Sequence, residues 1–205
     1  MLAVYQAESG ALSESGKMSQ SELYERLLVR FAEREVSKQD INAGVQAVER
    51  ELMVLSIVAF GMFNRGAQWI TDAQLAEDLT ALRITADFQQ AVTARHQHLA
   101  GPAKDALGRF FFIHRARTTL TGADLGTYEF LHATFGEYLV ARLTWRCLTE
   151  MADRVRAENA RMFPSNQRID DAELRAFLSY SLLSIRATTT EFLADFADRM
   201  PNEQR

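Results

Sequence analysis

His132 is the side chain whose setting could most readily do chemistry. It ends an alternating aromatic run, Tyr128, Phe130, His132, that reads as a half-buried strand. Immediately after it the apolar period becomes helical, with Phe135, Tyr138, Leu139 and Leu143 on one face. Thr134 followed three residues later by Glu137 is the pattern of a reciprocal capping box, which predicts a helix starting at Thr134. A histidine beside a helix N-terminus is where an anion can bind, because free backbone N–H groups and the positive end of the helix dipole converge there. The same box works against this, since it would occupy two amides and add a carboxylate. The other role open to His132 is that of a corner post, its ring packed and hydrogen-bonded between strand and helix.

The remaining chemistry-bearing residues point elsewhere. Gly10 to Met18 approaches a phosphate-binding loop, but its spacing is one residue too long and Met18 stands where a magnesium-holding hydroxyl belongs. The segment therefore reads as a linker. His96 and His98 lie two apart on a predicted helix, so they share no face, and no second cluster completes a zinc site. His114 falls in a predicted strand and is expected to pack. Cys147, the one cysteine, sits in an apolar run and reads as a small hydrophobe; a single thiol allows no intramolecular disulfide and suits a reducing compartment. Glu49/Glu51 and Asp170/Asp171 are expected to be solvated faces or caps. No Gly-x-Ser-x-Gly, Cys-x-x-Cys or His-Glu-x-x-His pattern is present. The sequence predicts no catalytic residue, no metal site and no cofactor in the isolated chain.

The composition is that of a globular protein: 205 residues, 47% hydrophobic and 24% charged. A net charge of -4 argues against a nucleic-acid footprint. No 18-residue apolar segment and no signal-like N-terminus occur, so the expected location is cytoplasmic, without membrane contact.

The elements that would position His132 follow from caps and periodicity. Ser19 to Glu22 is a capping box opening a helix through about residue 38, with Leu23, Tyr24, Leu27, Leu28 and Phe31 as its apolar stripe and Arg26, Arg30, Glu33 and Arg34 on the wet side. A second helix over 42–63 is apolar nearly all round toward its end and stops at Asn64-Arg65-Gly66. Residues 67–70 read as a brief extended link, and Thr71 to Gln74 caps a helix to about 82. A further helix is predicted over 87–99, then a strand over 109–115, a loop over 118–127 and a returning strand over 128–131. Helices follow over 134–162 and, after a break at Pro164-Ser165-Asn166, from Asp170/Glu173 through 200. The fold class expected is mainly α with a small β-hairpin, in the helix–link–helix–helix–hairpin order of a winged-helix domain flanked by helical segments.

Phe130-Leu131-His132-Ala133-Thr134-Phe135-Gly136-Glu137-Tyr138-Leu139 closely resembles the Phe-Leu-His-x-Ser/Thr-Phe-x-Glu-Tyr-Leu signature found after the winged helix of NACHT-type STAND ATPases. These are signalling NTPases that switch between closed ADP-bound and open ATP-bound forms. Glu22 to Leu28 is similar to the closing helix of the helical domain behind their NTPase core. The resemblance implies the end of a helical domain over 1–40, a winged helix over 41–132 and a second helical domain over 133–205. It implies that His132 contacts the phosphate of ADP when the NTPase domain is present. The NTPase domain, in cis or in trans, is the implied partner, and ATP/ADP the cofactor of the complete protein. Because the chain lacks the P-loop and magnesium-binding acidic strand, it is expected to be a regulatory part of such an ATPase: a fragment, a truncated reading frame or a split component. The apolar residues Leu2, Val4 and Tyr5 and the stripe on 19–38 are then expected to be left uncovered, favouring self-association.

A winged-helix DNA-binding regulator is the alternative. Residues 87–99, with Gln89, Gln90, Thr93, Arg95, His96 and Gln97, would be the reading helix, and Arg109, Arg115 and Arg117 the basic wing. DNA binding is not expected, because Arg95 is the only fixed positive charge on that helix and Asp87, Glu77 and Asp78 repel phosphate.

Overall fold

The structure, a computed structural model, describes residues 18–38, 44–82, 113–120, 123–162, 169–178 and 181–200; side chains over 113–126 lie outside that description. The chain is mainly helical with a small antiparallel sheet. In order, its elements are α1 (Gln20–Ser37), α2 (Val45–Asn64), β1 (Trp69–Thr71), α3 (Asp72–Ala81), β2 (Ile113–Leu120), β3 (Ala123–Phe130), α4 (Ala133–Asn159), α5 (Ala172–Leu178), a 3-10 turn (Leu183–Ile185) and α6 (Ala187–Asp198).

The local signals explain most boundaries. Ser19 caps α1 by accepting from the Glu22 N–H at 3.3 Å. The return half of that predicted box is replaced by an ion pair, because Glu22 turns to Arg26 at 2.5 Å. Thr71 and Gln74 form the complete reciprocal box at the start of α3. At the end of α2, Gly66 takes a φ of +60°, its N–H bonds the Phe63 carbonyl at 3.0 Å and the Ala67 N–H bonds the Met62 carbonyl at 3.0 Å. That pair of bonds is the Schellman termination, and it needs a residue without a Cβ penalty at Gly66.

Two expectations about the sheet are corrected. Residues 69–71 are a strand, not a link: β1 pairs antiparallel with β3, Ile70 opposite Tyr128, so the sheet order is β1-β3-β2. Trp, Ile and Thr all favour a pleated, half-buried surface, and the pairing satisfies an edge of β3 that would otherwise be open. The hairpin is also longer than predicted, β2 and β3 pairing from Ile113↔Phe130 to Leu120↔Ala123, with two residues between. Thr118, Thr119 and Leu120 carry strand propensity that outweighed the Gly- and Asp-rich signal read as a loop. The predicted helix over 87–99, the strand start at 109–112, and the break at 164–166 lie outside the described residues.

α2 is the centre. From Val54 to Met62 every residue is buried, and α2 packs chiefly against α4, which in turn packs against α6. Tyr24 and Leu28 of α1, Leu52, Leu55 and Val58 of α2, Ile70 of β1, Tyr128 of β3, Tyr138 and Leu139 of α4, and Phe192 of α6 belong to one buried cluster. The stripe of α1 is therefore covered within the chain, and the expectation that it would be left bare is corrected. Tyr24 packs on the Tyr138 ring at 5.5 Å and edge-on to Phe192 at 5.4 Å, and these aromatics do the covering. Leu2, Val4 and Tyr5 lie outside the described residues.

Candidate functional site

His132 is the N-cap of α4, with extended backbone (φ -137°, ψ 125°) and no side-chain capping bond. Its carbonyl accepts from the Phe135 N–H at 3.1 Å. The predicted start at Thr134 is corrected: Thr134 lies inside the helix, and the Thr134/Glu137 box does not form. Nearby, the pKa of the Tyr24 phenol is raised first by burial, with the Thr134 hydroxyl lowering it and the Glu137 charge adding to the rise. His132 is exposed.

His132 lines a cavity of about 310 Å3 walled also by Met62 and Phe63 of α2, by Glu129 and Phe130 of β3, and by the first turn of α4. Arg186, at the start of α6, reaches the same cavity from 54 positions away in sequence. Glu129 and Glu137 also line it. One guanidinium against two carboxylates does not make a self-sufficient anion site, so a phosphate at His132 needs further ligands from elsewhere. Gly136 keeps the floor low: a Cβ there would come to 3.3 Å from the Phe130 ring.

A second cluster, not anticipated from sequence, ties α1, α2 and α4 together. Arg142 of α4 forks onto Glu25 of α1, Nε to Oε2 at 2.9 Å and Nη2 to Oε1 at 3.1 Å, and Nη2 also reaches both oxygens of Glu49 on α2 at 2.9 Å. Arg146 binds Glu49 from the next turn at 2.9 Å. The Tyr138 hydroxyl donates to Glu25. Glu49 is thus an interhelical partner rather than the solvated face expected for it. Burial works against the Arg142 charge, but the hydrogen bonds and charges of Glu25 and then Glu49 more than offset it, and its pKa is raised. Burial, followed by the Glu25 charge and hydrogen bond, pushes the Tyr138 phenol up too, so it stays a donor. The spacing of Glu25 and Arg142, 117 positions apart, carries no local signal.

Among the described residues no group of three or more His, Cys, Asp or Glu is placed to hold a metal, and no helix is long and apolar enough to cross a membrane. Cys147 is half-buried. Gly10 to Lys17, His96, His98 and the proposed DNA-reading helix lie outside the described residues, as do the side chains of His114, Arg115 and Arg117. No protein-family model, curated protein or solved structure matches the chain.

Proposed function

We propose that this chain is a non-catalytic regulatory segment of a NACHT-type signalling ATPase, in which a winged helix and flanking helices hold the nucleotide switch closed. The observation that carries the reading is the placement of His132: an exposed N-cap at a strand–helix corner, its side chain not spent on capping. A ring so placed is free to bond a phosphate presented by another domain. The strand order adds support, since a short strand between two helices joined to a hairpin suits a winged helix. So does the contact between the two stretches that carry the resemblance, Glu22–Leu28 and Phe130–Leu143, through Tyr24, Glu25, Tyr138 and Arg142.

In this reading catalysis belongs to an NTPase domain in cis or in trans, in the cytoplasm, and the chain contributes by differential binding. A contact made only in the ADP-bound form biases the switch by its strength in that form. The test joins the chain to a complete NACHT-type NTPase core and measures ADP affinity by calorimetry. His132→Ala should weaken ADP roughly ten- to a hundredfold, the equivalent of one charge-assisted hydrogen bond of about 1.5–3 kcal/mol. Unchanged ADP affinity in a folded, joined protein rejects the reading.

A further inference from the structure

We propose that the corner around the His132 cavity is a self-complementary surface through which two copies of this chain pair about a two-fold axis. The inference stands apart from the nucleotide reading, because it needs neither an NTPase domain nor a ligand. The corner is apolar beyond the cavity walls. Leu131 lines the cavity and is 45% exposed. Trp69 follows the lining residue Gln68 and is 48% exposed, and Ile185 precedes Arg186 and is 66% exposed. Three large apolar groups at one opening, beside the walls given by Met62, Phe63 and Phe130, mark a contact face rather than scattered surface residues.

The charges on the same rim select what covers it. Arg186 and Glu137 both line the cavity, yet among the described residues neither makes a hydrogen bond or an ion pair, with each other or with any other group. By contrast Arg26, Arg142, Arg146 and Arg199 are all held by carboxylates of this chain. Glu129, the second carboxylate on the cavity, already has an interaction of its own. An acidic partner would answer Arg186 and oppose Glu137; a basic one would do the reverse. A second copy answers both, because a two-fold contact presents the same patch to itself and Arg186 of each protomer can meet Glu137 of the other. The exposed apolar groups then face one another, and the water they exclude strengthens both ion pairs. Since His132 lines the same cavity, this pairing and a docked NTPase domain exclude each other.

Sedimentation equilibrium of the full chain over a concentration series measures the pairing. The parent should dimerise, and more weakly as salt is added. Arg186→Glu sets carboxylate against carboxylate twice in the dimer, and Glu137→Arg sets guanidinium against guanidinium twice. Each change alone should weaken dimerisation by roughly tenfold or more. An equal mixture of the two variants should restore it, because both junctions again join a carboxylate to a guanidinium. The double variant Arg186→Glu/Glu137→Arg should dimerise like the parent for the same reason. Thermal melting checks that each variant folds; should Glu137→Arg not fold, Arg186→Glu alone is read against the parent and should still be the weaker dimer. A monomeric parent, single variants that pair as tightly as the parent, or a mixture of folded variants that stays monomeric overturns the proposal.

Discussion

Glu25 and Arg142 face each other across the α1–α4 interface in a two-bond fork, 2.9 and 3.1 Å, and the same guanidinium reaches Glu49 on α2. One side chain thereby joins three helices that the resemblance assigns to three different domains. Arg142 is 13% exposed while Glu25 and Glu49 remain 37% and 33% exposed, so losing the arginine strands carboxylates that water can still partly reach. Arg142→Ala should therefore destabilise by about 2–3 kcal/mol, less than the roughly 3–5 kcal/mol of breaking a fully buried pair. Glu25→Gln should cost less, because the amide can still accept from Tyr138. Denaturant melts of both single variants and the double variant measure the coupling; additivity would show that the fork contributes nothing as a pair.

Gly61 should resist even the smallest change. In a helix interior alanine is ordinarily favoured over glycine by about 1 kcal/mol. Here a Cβ would lie 2.8 Å from Ile70 Cδ1, 3.1 Å from Arg65 Nη1, and closer still to Asp78 Oδ2. It would press into the Arg65–Asp78 pair, 2.6 and 2.7 Å, which fastens α3 to the end of α2. Gly61→Ala should therefore lower stability by about 1–2 kcal/mol despite the helical gain. Thermal melts decide it, and an Asp78→Ala background should recover part of the loss.

What was legible in the sequence is what is local. The caps at Ser19 and Thr71, the Gly66 stop, the apolar roundness of α2 and the stripe of α1 all rest on neighbours within a turn or two, and they sit where the spacing placed them. β1 is not legible as a strand because three residues show no period; only its pairing with β3 defines it. The helix start at His132 is not legible, because Thr134 has the right type at the right spacing for a cap, while the helix begins one residue before it with no side-chain capping bond at all. The Arg142 cluster depends on which helix faces meet, and periodicity names a face without naming its partner. Of the candidate site, His132 was visible as a corner residue; Arg186, Glu129 and the shared cavity were not.

Asp195 should make stability depend on acid pH. Burial tends to raise its pKa, but the hydrogen bonds from Ser21 and Ser19 and the nearby Arg199 outweigh it, and the pKa is lowered. A folded-state pKa below the unfolded one adds stability that is complete above the ordinary aspartate value, about 3.9, and is lost as pH falls through the folded value. Asp195→Asn should thus melt lower than the parent at pH 7, and the gap should close below about pH 4. A gap that persists unchanged at pH 3 would assign the loss to packing rather than to charge.

His132→Asp separates the two roles of that residue more sharply than alanine does. His132 has the extended backbone of an N-cap but no capping bond, so an aspartate there could accept from the free N–H groups of α4 and meet the positive end of its dipole. That exchange should raise stability by about 0.5–1 kcal/mol, reduced somewhat by the Glu129 and Glu137 carboxylates on the same cavity. A phosphate contact would respond in the opposite sense, since a carboxylate at the cap repels the anion that the histidine ring would bond. The joined ATPase carrying His132→Asp should therefore be more stable to denaturant in this segment, yet bind ADP more weakly than the alanine variant. Loss of stability in the aspartate variant would show that the ring is a packed corner post. A stability gain with unaltered ADP affinity would leave the cap real and the phosphate contact absent.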